Sequence, residues 1–430
     1  DQSRYDCPWP IRTQDVVELL PTKEFRLIGR VPQSSLKGCS LLAREIVGED
    51  IRISHKEKPS ENKTHIFCST TSSPLEQLAR VREFVYEFFQ KDEIKQLLTE
   101  DFYCSKIATQ AAEDLYASFP KTKELWYRAI GRSQASSGDH WLLLIPNSHP
   151  FVFFYPFLLA YFSNLKITIR YSSAYDKNSI VGIFIEEFTR KFQYYCEELP
   201  SSFRISSNND VKIFDGILGY GHTDTIKQLK QIVRVPINAY GHGVTVSVIH
   251  NLSDDTLLKA LKDAFSLAQR GCFSSQMVLV ATSLAVSPYE LITRLLKLSE
   301  KFIQSSLPLM TSVALDHQSI KYCGNEYTYW QRTSEHDPLF PVFDYQMAKD
   351  QISKFLSSRS FVLPFVLCRQ EELVTIIHQL QDVVLISRPE DISLDCASLE
   401  IDSCLLGTAN RPQWSGIHQR KPLFSKGNLV

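Results

Sequence analysis

The sequence predicts a two-lobed α/β protein built on parallel sheets, and three observations carry that expectation. From about residue 140, short apolar runs alternate with amphipathic stretches, the pattern of parallel strands joined by crossover helices. The alternation starts afresh near residue 244 with "VTVSVIH", which implies a second lobe. The chain has 430 residues, enough for about two to three ordinary domains with sizeable cores.

Before residue 70, "FRLIGRV" and "HIFCST" read as strands among polar linkers such as "SHKEKPSENK". Residues 74–119 carry apolar side chains at spacings of three and four, which predicts two or three amphipathic helices covering a sheet. Then follow the strand "HWLLLIP", a helix over 150–163, the strand "KITIRYS", a helix over 178–198, the strand "VKIFDGI", a helix over about 223–231 and the strand "RVPINAY". In the second lobe "VTVSVIH" leads to a helix over 254–269, a turn at Cys272, the strand "SQMVLVA" and a helix over 287–305. Residues 314–348 read as loops or antiparallel pieces before a helix "YQMAKDQISKFLSS", and the last 30 residues as a basic, irregular tail.

Composition narrows the function. Lys plus Arg number 47 and Asp plus Glu 48, so no global basic field exists to draw nucleic acid or an anionic membrane. The ten cysteines are scattered, without a C-x-x-C pair or a histidine cluster, and read as reduced thiols of a cytoplasmic protein. The first residues are polar, with no apolar signal-peptide core. The run "WLLLIPNSHPFVFFYPFLLAYF", 141–162, is long enough for a bilayer, but its internal prolines and polar Asn-Ser-His step argue against a span.

Three places have the residue types that chemistry needs. Cys272, in "AQRGCFSSQ", sits in a small-residue turn between a helix and a strand, where a backbone N–H beside the sulfur can stabilise an oxyanion; a buried core thiol is the alternative. Asn147, in "IPNSHP", stands at the carboxyl end of a strand, the edge where open α/β sheets place ligands, unless it only satisfies the turn. In "GYGHTDTI", Gly219 and Gly221 end a strand and Thr223 opens a helix, an arrangement that suits a phosphate at the helix N-terminus. That turn lacks the third glycine of the dinucleotide fingerprint.

In order and spacing, "IPNSHPFVFFYP", "ITIRYSS", "GYGHTDTI" and "AQRGCFSSQ" resemble the aldehyde dehydrogenase superfamily, over about residues 140–282. The Tyr-Gly-His form of "NAYGHGVTVSVIHN" is more similar to the bacterial long-chain acyl-CoA reductase branch known from luminescence operons. The resemblance implies an aldehyde dehydrogenase-like fold: a Rossmann-type cofactor domain over 1–243, an α/β catalytic domain over 244–395, and a C-terminal extension over 396–430 that returns to the first domain or joins a neighbouring subunit. It implies Cys272 as nucleophile, with Asn147 and the Cys272 amide as oxyanion donors. Arg170, where the superfamily usually has lysine, and Ser172 and Ser173 would hold the adenosine ribose, and Gly219, Gly221 and Thr223 the pyrophosphate. The fixed charge of Arg170 favours NADPH over NADH, unless that side chain makes a surface ion pair.

No glutamate occurs from Gly241 to Cys272, so the superfamily's usual base for hydrolytic water is missing there. A thioester reductase gains from that loss, because its acyl-cysteine must survive until hydride arrives. The function the resemblance implies is NADPH-dependent reduction of a fatty acyl thioester, on coenzyme A or a carrier, to the aldehyde. An acyl-protein synthetase or acyl carrier as partner and a homo-oligomeric assembly go with it. The alternatives are an aldehyde dehydrogenase that releases acid and a non-catalytic subunit of the same fold. The superfamily's motif for the nicotinamide ribose has only a loose counterpart in "DPLFPVFDYQ". His149 and His242 flank the site motifs and read as structural hydrogen-bonding groups or modulators of the thiol. The helix "FVFFYPFLLAYF" reads as packed core or the lining of a fatty-chain channel, and the basic tail as solvated or as a contact for coenzyme A phosphates or another subunit.

Overall fold

The computed structural model describes residues 15–19, 25–30, 74–102, 104–120, 124–125, 135–146, 149–171, 178–199, 203, 205–220, 223–241, 243–282, 286–302, 338–348, 361–380, 382–411, 417–418 and 421–426. The described residues fall into two compact units, one drawn from 1–36, 102–107 and 243–410, the other from 37–101, 108–242 and 411–430. Among the described residues, 15–19, 25–30 and the short piece around Phe102 fall in the unit that holds 243–410.

The chain opens with an antiparallel pair, β1 (Asp15–Leu19) and β2 (Phe25–Arg30). Three helices follow, α1 (Pro74–Gln90), α2 (Asp92–Phe102) and α3 (Ser105–Ser118). The alternating region then gives β3 (His140–Ile145), α4 (Phe151–Phe162), β4 (Lys166–Tyr171), α5 (Ile180–Phe192), β5 (Cys196–Leu199), β6 (Gly216–Tyr220), α6 (Thr223–Ile232) and β7 (Ile237–Tyr240). The long apolar run of 141–162 is therefore divided between a strand and a helix, and no described helix is long and apolar enough to cross a membrane.

These five strands make one parallel sheet in the order β5-β4-β3-β6-β7. Right-handed crossovers that leave the centre in opposite directions put α4 and α5 on one face and α6 on the other. On the α6 face, Leu142, Leu144 and Ile217 pack with Leu229 and Val233. On the other face the core is aromatic: Phe154 meets Phe184 at 4.5 Å, Phe157 meets Phe188 at 5.2 Å and Phe84 of α1 meets Phe188 at 5.6 Å, all edge to face. Such pairs add about 0.5–1.5 kcal/mol each beyond the area they bury. α4 is buried at ten of its twelve positions, and its rings pack against those of α1 and α5.

The second alternating region gives β8 (Val244–Ile249), α7 (Asp254–Phe265), β9 (Ser275–Ala281), α8 (Pro288–Ser299), β10 (Val342–Asp344), α9 (Tyr345–Ala348), β11 (Phe365–Cys368), α10 (Leu373–Gln379), β12 (Val383–Arg388) and β13 (Asp402–Leu405). Its sheet is six-stranded, parallel and ordered β10-β11-β9-β8-β12-β13. Side-chain caps set the helix starts: Ser253 accepts from Thr256 N at 3.3 Å, and Ser287 precedes Pro288, whose fixed φ suits a first turn.

Two expectations change here. The strand read over 211–217 begins only at Gly216, because Val211 to Phe214 form a turn closed by Phe214 N on Val211 O at 3.0 Å. Residues 396–410, read as part of a separate extension, instead belong with the six-stranded unit, where β13 pairs with β12.

The described tail forms a small antiparallel pair, β14 (Ile417–His418) and β15 (Lys421–Pro422), and, by contrast with the solvated reading, is docked on its own unit through the residues after it. Leu423 and Phe424 are wholly buried, Asn238 Nδ2 donates to Leu423 O at 2.9 Å and to Ser425 O at 3.1 Å, and Lys426 pairs with Asp139 at 2.8 Å. Arg411 pairs with buried Asp114 at 2.9 Å.

Candidate functional site

In the five-stranded sheet the connections leave in opposite directions from β3 and β6, and the crevice at the carboxyl ends of two such strands is where open α/β sheets bind ligands. Asn147 and Gly221 lie outside the described residues, as do Ser172, Ser173 and His242. Thr223 is the first residue of α6, so the free N–H groups of that helix start lie three positions beyond the end of β6.

Register puts Arg170, Leu144, Gly219 and Ala239 in one row across the sheet, near its carboxyl edge and on one face. Arg170 is wholly buried at 0% exposure. A surface ion pair is therefore not its role.

Gly219 informs about a cofactor. A Cβ there would lie 3.4 Å from Leu144 Cδ1, an ordinary contact, so the protein's own packing does not require glycine. The same register row carries the buried cation of Arg170, and α6 starts three positions after β6 ends. His149 is buried beside the end of β3.

In the six-stranded unit Cys272 sits just before β9, on the amino edge of its sheet. The helix expected over 254–269 stops at Phe265 because Ala268 and Gln269 take left-handed backbone, φ 51 and 56. Two successive non-glycine residues there cost about 1–2 kcal/mol each. Gln269, 1% exposed, donates from Nε2 to Val362 O at 3.0 Å, and Arg270 stacks over Phe102 at 5.5 Å.

Gly271 to Ser274 then form a β-turn, with Ser274 N on Gly271 O at 3.0 Å. Cys272 is its second residue and is partly exposed. In a trans peptide the N–H points opposite the C=O; since the Gly271 carbonyl points into the turn, the Cys272 N–H points out of it.

The turn is anchored at two further points. Thr245 Oγ1 donates to Cys272 O at 2.8 Å, and Ser274 Oγ donates to Asn410 Oδ1 at 3.1 Å. Asn410 in turn donates from Nδ2 to Asp263 O at 2.7 Å. The Asp263 carboxylate, 1% exposed, accepts from Gly407 N and Ala409 N at 2.8 Å each and from Ser387 Oγ. A buried charge with this many donors is satisfied in place, and it ties the loop that carries Asn410 to α7 and β12.

Three other described cysteines are unsuited to nucleophilic work. Burial pushes Cys368 and Cys404 up to about 12 and raises Cys196 well above the usual thiol range. Among the described residues no group of three His, Cys, Asp or Glu side chains could hold a metal ion. Leu339 to Phe343, from the stretch compared with the ribose motif, build the edge of the six-stranded sheet; Leu339 bridges Val362 and β10 pairs with β11. Asp337 lies outside the described residues.

No family model and no curated protein sequence matches the chain. Solved structures do. Glyceraldehyde-3-phosphate dehydrogenase GapN from Methanocaldococcus jannaschii, complexed with NADP, is 15% identical over 92% of this chain and 91% of that one, with a TM-score of 0.53. Aldehyde dehydrogenase 21 from Physcomitrella patens, in complex with the reaction product succinate, is 11% identical over 78% of each chain, with a TM-score of 0.57. A benzaldehyde dehydrogenase from Corynebacterium glutamicum is 12% identical over 77% of this chain and 78% of that one, with a TM-score of 0.52. The two parallel sheets described above, in one chain, are thus the fold of the aldehyde dehydrogenases.

Proposed function

We propose that the protein reduces a fatty acyl thioester, on coenzyme A or an acyl carrier, to the aldehyde through an acyl-cysteine on Cys272. The observation that carries this reading is the Gly271–Ser274 turn, which holds a partly exposed cysteine with its amide directed out of the turn. The Cys272 thiolate adds to the thioester carbonyl, and the carbonyl oxygen becomes an oxyanion that the Cys272 N–H and Asn147 stabilise. Collapse breaks the bond to the carrier sulfur, which leaves as a thiol with the proton that Cys272 gave up.

Reduced nicotinamide, when bound, supplies hydride to the acyl carbon; the bond from that carbon to Cys272 Sγ then breaks, which releases the aldehyde and returns the thiolate. Gly219, Gly221 and Thr223 would hold its pyrophosphate, and Arg170, Ser172 and Ser173 its ribose. The fixed charge of Arg170 would favour NADPH, with NADH the alternative, and NADP is bound in the M. jannaschii neighbour. No glutamate lies between Gly241 and Cys272 to activate water, which lets the acyl-cysteine persist. The same reading makes the protein cytoplasmic and homo-oligomeric, with an acyl-protein synthetase or acyl carrier as its supplier.

The test is incubation with radiolabelled long-chain acyl-CoA, without reductant, beside Cys272→Ala. The expected result is covalent label that needs Cys272 and leaves as aldehyde when NADPH is added. Label that leaves as free acid, with aldehyde oxidised by NADP+, would assign the oxidising reaction instead. No label together with no NADPH binding would assign a non-catalytic subunit.

A further inference from the structure

Two hydrogen bonds bracket Cys272. On its amino side the Gly271 carbonyl is held by Ser274 N at 3.0 Å, which orients the Gly271–Cys272 peptide plane. On its carboxyl side the Cys272 carbonyl is held by Thr245 Oγ1 at 2.8 Å, which orients the Cys272–Phe273 plane. Peptide units are planar, so φ and ψ of Cys272 are the only rotations between those planes. With both planes held, the Cα–Cβ direction is set, and with it the axis about which Sγ turns and the direction of the Cys272 N–H.

Thr245 is suited to hold its end still. It is wholly buried in β8, its backbone is paired with Ser275 of β9, and its branched side chain has restricted rotation. A hydroxyl at such a position needs a partner, and the Cys272 carbonyl is the one it takes. Valine would fill the same volume between the same strands and remove that hydrogen bond.

We infer that Thr245 is a positioning residue for Cys272, setting the thiol and its amide for acyl transfer; this rests on the reading of Cys272 as the nucleophile. The role separates two reactions of one thiol. Alkylation by iodoacetamide displaces iodide at a saturated carbon and develops no oxyanion, whereas acylation by a thioester needs the amide aimed at the carbonyl oxygen.

The experiment measures both rates at Cys272 in the full-length protein, in Thr245→Val and in Thr245→Ser, with iodoacetamide and palmitoyl-CoA as probes and Cys272→Ala as the blank. Thr245→Val is expected to slow acylation roughly ten- to a hundredfold with alkylation little changed, and Thr245→Ser to acylate nearly as fast as the parent. Undiminished acylation in Thr245→Val, an equal fall of both rates, or failure of serine to restore acylation overturns the positioning role while Cys272 remains the nucleophile. A parent protein that takes no Cys272-dependent acyl label overturns the nucleophile reading and the positioning role with it.

Discussion

Gly216 lies flat against the indole of Trp141, its register partner on β3: a Cβ on Gly216 would stand 2.5 Å from Trp141 Cη2. The indole cannot retreat, because it is wholly buried and Phe424 of the C-terminal segment meets it edge to face at 5.2 Å. Gly216→Ala therefore forces apart β3, β6 and the docked tail. The expected loss is about 1–3 kcal/mol, read from the urea midpoint. Removing residues 411–430, with Phe424 among them, should relieve the clash and shrink the penalty of the alanine; an undiminished penalty would place the strain elsewhere.

Asp263 ties the end of α7 to β12 and to the loop carrying Asn410. Asp263→Asn keeps the shape but sets an NH2 against a donor in either orientation, since Gly407 N and Ala409 N approach different carboxylate oxygens. A cost of about 1.5–3 kcal/mol follows, as for loss of a charged hydrogen bond. The same variant should speed proteolysis within 405–411, because the loop loses its anchors; a cleavage pattern like that of the parent would show that the strand pairing alone holds it.

The thiols should sort by burial. At pH 8, Cys196, Cys368 and Cys404 stay protonated, since desolvation holds them far above that pH. Limited iodoacetamide followed by peptide mass mapping should mark Cys272 ahead of these three in the folded protein, and all four equally in urea. Early label on Cys404 would mean that the β12–β13 edge opens in solution.

Much of the fold was legible because central strands of a parallel sheet are buried on both faces and read as unbroken apolar runs, as "HWLLLI" and "SQMVLVA" do. Among the strands that escaped, the edges β5, "CEEL", and β13, "DSCL", have only exposed and half-buried positions and carry no such run; β11 and β12, inside the six-stranded sheet, escaped as well. The turn at Cys272 was legible from its small residues. Its supports were not, since Thr245 lies 27 positions away and Asn410 meets Ser274 across 136. Periodicity reports which face a residue turns to the core, but not which distant hydroxyl that face brings to a carbonyl.

One acid-side loss of stability is traceable to the start of α10. Glu372 is held below its ordinary value of 4.5, chiefly by the side-chain hydrogen bond from Arg369, against some desolvation, and further by the Arg369 backbone and Gln346. Arg369 Nη2 reaches Glu372 Oε1 at 2.7 Å and Arg369 N reaches Oε2 at 2.8 Å. A carboxyl depressed in the folded state adds stability that is fully present above 4.5 and fades as pH falls through its folded value, because the unfolded chain takes the proton first. Glu372→Gln should therefore destabilise the protein at pH 7 and flatten its stability profile below pH 4.5. Because Arg369 is exposed, the effect belongs at the lower end of the range for such pairs, below about 1 kcal/mol. Urea midpoints of parent and variant at matched pH values measure the difference: the two curves should converge toward acid, and curves that stay parallel would remove Glu372 from the acid transition.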